Sequence, residues 1–344
     1  MRLDQRYYEA LSYEWGDPNG LKHTILINGQ PIQVRDNLFH ALACLRELSM
    51  FEPLWIDALC INQNDIRERN HQVGMMALIY KSAAKVRVWL GQEDASIIQA
   101  FGLLARIGAL FPGWRREFVE AHYKYYEKNR EVASRYPELI WERGVDVSFS
   151  QLMLARRMLP LLKSISKEEW GSLLLLVNRS YWTRLWIVQE FVLARNVVIC
   201  SGKAFVNSED LELTIQGMHI LKFEDPSRPL WQEQSPVWDI FRGICTKIVE
   251  MRILREVSPL VELLESTMES KCQDPHDRIY AIIAIAKDLS SFYDTIPIDY
   301  NRSIFKVKMD LVWAVQTRSR FKKDYISRLC SLLDEIFAEY PDDE

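Results

Sequence analysis

Apolar residues along this chain arrive as short continuous runs separated by stretches of helical period, which is the pattern of an α/β protein with a buried parallel sheet. YYEALSYEW (7–15) predicts a short strand entering a turn at GDPNG. TILINGQPIQV (24–34) reads as two β runs around Asn28-Gly29, a pair suited to a type I′ turn in which both central residues take positive φ. Pro31 has no N–H to donate, so its strand is expected at a sheet edge. Asp36 or Asn37 stands where it can cap the following helix, NLFHALACLREL.

PLWIDALCINQ (53–63) is a continuous apolar run of the kind buried parallel strands carry. Over 65–82, Val73, Met76, Ala77 and Tyr80 fall at i, i+3, i+4 and i+7 on one helix face. KVRVWLG (85–91) is a second buried run, so 53–91 predicts one βαβ unit. Residues 94–165 carry charged and aromatic helical sequence such as WRREFVEAHYKYYEKNRE and no strand signal, which indicates a large helical insertion. A helix over 181–194 and the strand NVVICSG (196–202) resume the alternation. The remainder is mostly helical: SPLVELLEST (258–267), DRIYAIIAIA (277–286), the loop IPIDYNRS, and one or two closing helices. Right-handed crossovers then place helices on both faces of a parallel sheet.

Composition narrows the function classes. The chain has 344 residues, enough for a substantial core in one large domain or two ordinary ones. A net charge of −4 favours neither nucleic acid nor an anionic membrane surface. The apolar runs LLLLV (173–177) and AIIAIA (281–286) are core-sized, far short of the ~18 residues a membrane span needs. The start MRLDQRYYEA has no secretory h-region. Six scattered cysteines without CxxC or zinc-ligand spacing point to reduced thiols and no metal, hence a cytoplasmic protein. Eleven tryptophans suggest aromatic packing or a pocket for a flat ligand.

Ligands of open α/β sheets bind beyond the carboxyl ends of the strands. That rule nominates Ser12, Tyr13, Glu14, Trp15 and Gly16 after the first strand, and Asp57, Cys60, Asn62 and Gln63 after the second. Asp57, inside an apolar run, must be paired or used at a site. Cys60 has no histidine placed beside it and reads as buried and inert. Glu190 taken alone is a helix-face acid that Arg184 or Arg195 would pair, and Gln189 can satisfy a loop carbonyl. Trp55, Trp89, Trp182 and Trp186 suit a core. NDIRERNHQ fits a capped, ion-paired helix start with Glu68 and Arg69 structural, and DPHDR fits a turn with Asp274 or Asp277 at a helix start. The charged stretch 114–143 suits a solvated insertion or a partner surface.

Four stretches change this picture together: YEALSYEWGD (8–17), LWIDALCINQNDIRERNHQVGMMALIYKSAAKVRVWLG (54–91), RSYWTRLWIVQEFVLARNVVICSG (179–202) and DPHDRIYAIIAIA (274–286). In order and spacing they resemble the fungal heterokaryon incompatibility (HET) domain. The likeness implies a HET domain over 1–300, a C-terminal helical extension over 301–344, and a role in non-self recognition and regulated cell death. It leaves open whether the chain is a complete protein or part of a longer one.

A more distant similarity links YEALSYEWGD and SYWTRLWIVQEFVLA to Toll/interleukin-receptor (TIR) domains, implying a TIR-like, flavodoxin-like α/β fold. Trp186 and Glu190 have the spacing of the TIR helix whose glutamate is catalytic in the members that hydrolyse NAD; Ile187 stands where that helix often has cysteine. The resemblance therefore implies Glu190 as catalytic carboxylate and NAD or a related nucleotide as substrate, with no cofactor. Nicotinamide leaves as a neutral pyridine and needs no general acid; a carboxylate under the sugar stabilises the oxocarbenium ion. Trp15 and Tyr13 offer stacking surfaces, Asp57 an acceptor for ribose hydroxyls, Asn62 and Gln63 neutral contacts, and Ser12 and Gly16 a close backbone approach. Trp186 and Gln189 complete the expected substrate-binding set. Without a GxGxxG or Walker loop, the phosphates fall to Arg184, Arg179, Arg278 or helix N-termini. Self-association and an upstream recognition protein are the expected partners. The alternatives are a non-catalytic signalling module acting by self-assembly and partner recruitment, and a nucleoside-processing transferase.

Overall fold

A computed structural model describes residues 7–112, 149–224, 235–253, 259–289, 296–317, 323–338 and 340. In chain order the first half holds β1 (Glu9–Tyr13), β2 (Lys22–Ile27), β3 (Gln30–Arg35), α1 (Asp36–Glu47), β4 (Leu54–Trp55), α2 (Asp57–Cys60), α3 (Ile66–Ser82), β5 (Lys85–Trp89), α4 (Ala95–Ala109), α5 (Phe149–Ser164) and α6 (Lys167–Val177). The second half holds α7 (Ile187–Val192), β6 (Val197–Ser201), β7 (Ala204–Asn207), α8 (Ser208–Glu224), α9 (Pro236–Arg242), α10 (Ile244–Ile253), α11 (Leu260–Thr267), α12 (Asp277–Ile283), α13 (Ile304–Gln316) and α14 (Lys323–Ile336). They divide into two compact units, one drawn from 1–90, 180–197 and 254–344, the other from 91–179 and 198–253. No helix among the described residues is long and apolar enough to cross a membrane.

In the first unit β1 is buried along its whole length and lies between two parallel neighbours. It pairs with β4 through Glu9↔Leu54 and Ala10↔Trp55, and with β5 from Glu9↔Lys85 to Tyr13↔Trp89. Helix α3 is the crossover from β4 to β5, as the spacing of its apolar residues predicts, and Asp65 caps it by accepting from the amides of Arg67 and Glu68. The sheet of this unit is thus parallel and packed against helices, the α/β architecture expected. Glu9, buried in β1, is neutralised by Arg87 and Lys85 of β5. Helix α7 packs on β1, β5, α3 and α12, while α11, α13 and α14 close the unit behind it. The β2–β3 hairpin turns at Asn28 (φ 51°) and Gly29 (φ 79°), both positive as a type I′ turn demands.

Three local expectations are corrected. The apolar run 53–63 is not one strand: β4 has two residues, and α2 follows as a single helical turn. The Asp57 carboxylate drives that change by accepting from the Ala58 amide at 2.7 Å, a local bond that competes with the sheet ladder. Helix α1 has no side-chain cap; Asp36 binds His23 at 2.7 Å and Asn37 donates to the Glu14 carbonyl at 2.7 Å. The helix expected over 181–194 is broken into a 3-10 turn, Ser180–Thr183, and the short α7.

The second unit holds most of the expected helical insertion. Helices α4, α6 and α8 pack together with β7, and α5 lies on α8. The stretch 114–143 lies outside the described residues. β6 pairs antiparallel with β7 from Val198↔Asn207 to Ser201↔Ala204, a strand the sequence pattern passed over for helix. At the centre of this unit Arg252 donates to Glu212 at 2.7 Å, with both side chains fully buried and Ser208 as a further donor at 3.0 Å.

Candidate functional site

The site grows from the break before α7. Thr183 and Leu185 bond through their main chains to Lys271, with Lys271 N to Thr183 O at 2.6 Å and Leu185 N to Lys271 O at 2.9 Å. Those bonds hold 183–185 out of helical geometry, so α7 starts only at Ile187, with Trp186 at its N-cap. Arg184 can therefore fold back onto the first turn of α7. Its two terminal nitrogens each donate to one oxygen of Glu190 at 3.1 Å, the forked geometry a guanidinium and a carboxylate prefer. Glu190 is buried, with 1% of its side chain exposed. From the end of β1, Ser12 donates to the same carboxylate at 2.5 Å. Since the single Ser12 proton is committed there, the Tyr181 hydroxyl, 2.6 Å from Ser12 Oγ, is the donor of that contact. Glu190 thus accepts three hydrogen bonds, one from Ser12 and two from Arg184, with Tyr181 backing Ser12.

Beside this cluster opens a cavity of about 460 Å³, within the size range of small-molecule sites. Two aspartate–tryptophan pairs stand in its wall. Trp15 donates to Asp57 at 2.9 Å, and Trp186 donates to Asp277, which also accepts from Tyr300 at 2.7 Å. Burial pushes Asp57 up to about 6, Glu190 adds to the rise, and Arg184 opposes it. Burial likewise pushes Asp277 up to about 6 against its hydrogen bonds from Tyr300 and Trp186. Next to Asp277, His276 presents Nδ1 to Asp274 at 2.6 Å and Nε2 to the Arg302 carbonyl at 2.7 Å. Both partners are acceptors, so the imidazolium is favoured; the Asp274 bond raises the pKa of His276.

The residues expected at the site separate into three groups. Ser12, Arg184 and Glu190 meet in the buried cluster. Trp15, Gly16, Asp57, Gln63, Arg184 and Trp186 line the cavity. Tyr13, Asn62 and Gln189 do neither. Tyr13 is buried in β1, where burial and then Asp57 raise its pKa. Asn62 is exposed and accepts from the amide of Asn64 at 3.2 Å. Gln189, fully buried, donates to the Tyr280 carbonyl at 3.1 Å. Glu190 itself stands behind Arg184 rather than in the cavity lining.

Of the arginines nominated for phosphate, Arg179 binds Asp94 in the second unit, and Arg278 donates to the carbonyls of Met268 and Ser270. Cys60 is exposed rather than buried, and its sulfur accepts from the Ile56 amide at 3.5 Å. The sequence reading missed Arg69, Asp274, Asp277 and Tyr300 as cavity residues. The available signal was two acids around a histidine in DPHDR, which local pattern assigns to a turn.

The family model described as "Heterokaryon incompatibility protein (HET)" matches residues 8–190, a span that begins at the entry to β1 and ends on Glu190. The chain is similar to "Heterokaryon incompatibility protein 6, OR allele" of Neurospora crassa, 27% identical over 310 residues. That alignment covers 82% of this chain and 43% of the relative, so the chain spans less than half of the relative's length. No solved structure matches. The matched family span takes in more than half of the chain, including β1, the βαβ unit and the acid of α7, and the chain belongs to the heterokaryon incompatibility (HET) family.

Proposed function

We propose that this protein is an effector of fungal non-self recognition and regulated cell death that cleaves NAD or a related nucleotide at the N-glycosidic bond, with Glu190 as the carboxylate. The observation that carries the reading is the buried cluster of Glu190, Ser12 and Arg184 at the carboxyl end of β1, beside a cavity of about 460 Å³ walled by Trp15 and Trp186. Support for the biological role comes from the family and from the name of the Neurospora crassa relative. The TIR-like spacing of Trp186 and Glu190 supports the chemistry.

In the reaction, water adds to the ribose C1′ as the bond to nicotinamide breaks. Nicotinamide leaves with the electron pair, neutralising its ring, and the proton of water goes to solvent. Glu190 stabilises the positive charge that develops on the sugar. For that, Arg184 must release at least one of its bonds to Glu190 as the ribose enters the cavity. Trp15 and Trp186 hold the flat base, and Asp57 accepts from ribose hydroxyls. Self-association and an upstream recognition protein would gate this activity.

One observation favours the rival, a non-catalytic signalling module: Glu190 is paired with Arg184, which lines the cavity while Glu190 does not. Nicotinamide release by the concentrated protein, beside Glu190→Ala and Glu190→Gln, separates the two. The catalytic reading expects turnover in the parent chain and loss in both variants with folding intact. Killing of cells by Glu190→Ala at the parental level would leave the signalling module standing.

A further inference from the structure

The arginine that local sequence assigns to helix scaffolding occupies an unusual position. Arg69, in the first turns of α3, lines the cavity with its guanidinium 3.8 Å above the Tyr300 ring. Tyr300 is itself fixed by its hydroxyl bond to Asp277, so the guanidinium plane is held against a rigid ring. Its nearest carboxylate oxygen belongs to Asp274, at 3.7 Å, beyond hydrogen-bond reach. His276 holds the other Asp274 oxygen, Oδ1, through its ring and amide at 2.6 and 3.0 Å, so Oδ2 faces Arg69 without reaching it. Among the described residues the side chain of Arg69 makes no hydrogen bond, and its Nε is buried without a partner.

A guanidinium carries five N–H donors in a fixed fork, and leaving buried donors unmet is unfavourable. The other arginines nominated for a phosphate are committed: Arg184 to Glu190, Arg278 to main-chain carbonyls, Arg179 to Asp94. Lys271, also in the cavity wall, is exposed and adds a second positive charge. Its ammonium has no ion pair among the described residues.

We propose that Arg69, stacked on Tyr300, is the anion-binding residue of this cavity and takes the diphosphate of a nucleotide ligand, with Lys271 at its rim. The proposal rests on the nucleotide reading of the site and adds which residue selects nucleotides over nucleosides. Arg69 binds and orients. It takes no part in bond cleavage. Arg69→Lys keeps the charge and loses the fork, so it restores only part of the affinity.

Calorimetric titration of the full chain tests this with three probes: ADP-ribose, nicotinamide riboside and inorganic pyrophosphate. The parent protein should bind ADP-ribose most tightly. Arg69→Gln should weaken ADP-ribose by about 10- to 100-fold, the worth of charge-assisted hydrogen bonds, and leave nicotinamide riboside unchanged. Arg69→Lys should fall between, and a thermal melt checks that each variant folds. Equal weakening of both nucleoside ligands, or of neither, overturns the assignment of Arg69. A parent chain that binds nicotinamide riboside but not ADP-ribose overturns the diphosphate subsite while leaving the nucleoside site of the proposed function intact. Binding of neither removes both. Pyrophosphate bound as tightly as ADP-ribose overturns the nucleotide in favour of a free-phosphate site.

Discussion

Replacing Arg184 by methionine removes the only cation hydrogen-bonded to Glu190 among the described residues while keeping the length of the apolar stem. Glu190 has 1% of its side chain exposed and Arg184 17%, so the carboxylate cannot turn to water for compensation. Among the described residues Ser12 would then be its remaining donor, with Asp57 repelling it from nearby. Breaking one side of a buried pair costs about 3–5 kcal/mol. With about 2–4 °C per kcal/mol for a unit of 150–250 residues, the melting point of the first unit should fall by roughly 6–20 °C.

The double variant Arg184→Met/Glu190→Gln should recover most of the loss, because no buried charge is left unpaired. Urea and thermal unfolding of the parent, both single variants and the double variant complete the cycle. A penalty under about 1 kcal/mol would refute a buried, mutually dependent pair.

Two further outcomes follow from the same geometry. Burial holds Asp57 and Asp277 at about 6, above the ordinary aspartate value of about 3.9, so each makes stability fall as pH rises from about 4 to about 6 and level off above it. Asp277→Asn and Asp57→Asn should each reduce that slope in a thermal-midpoint series from pH ~4 to ~8, and an unchanged slope in the double variant would count against the burial argument. Gly29 has φ +79° and nothing within 4 Å of an added Cβ, so Gly29→Ala should cost about 1 kcal/mol from backbone strain alone. A urea midpoint that does not move would show that the hairpin turn relaxes freely.

What could be read from the sequence follows the range of the interactions involved. The hairpin at Asn28-Gly29, the crossover helix α3 and the buried strand β5 depend on neighbours a few residues away, and the pattern predicts all three. Elements set by particular side-chain bonds or by distant partners are misread. The run 53–63 is apolar enough for a strand, yet the Asp57 carboxylate binds the adjacent Ala58 amide and, from 42 residues away, the Trp15 indole, and β4 ends after two residues. Residues 181–194 have helical spacing, yet main-chain bonds from Thr183 and Leu185 to Lys271, far along the chain, break that helix. The break creates the site, because it lets Arg184 return to Glu190.

The same distinction explains the arginines. Judged by sequence neighbours, Arg278 beside two acids looks available for a ligand, and Arg69 in NDIRERNHQ looks like one member of an ion-paired helix start. In the folded chain their situations are exchanged. Arg278 meets the carbonyls of Thr267, Met268 and Ser270, which follow or end α11, and satisfies the acceptors a helix end leaves open. Arg69 meets a loop from the far end of the chain, where Asp299 is bound to Asn70 and Tyr300 to Asp277, and its nearest acid, Asp274, is held at 3.7 Å with its other oxygen bound by His276. A cation's availability is decided by which acceptors its neighbours have already claimed, and those neighbours come from 274–300, more than 200 residues away in sequence. Local spacing places an arginine on α3; the packing of that distant loop sets its guanidinium in the cavity wall against Tyr300.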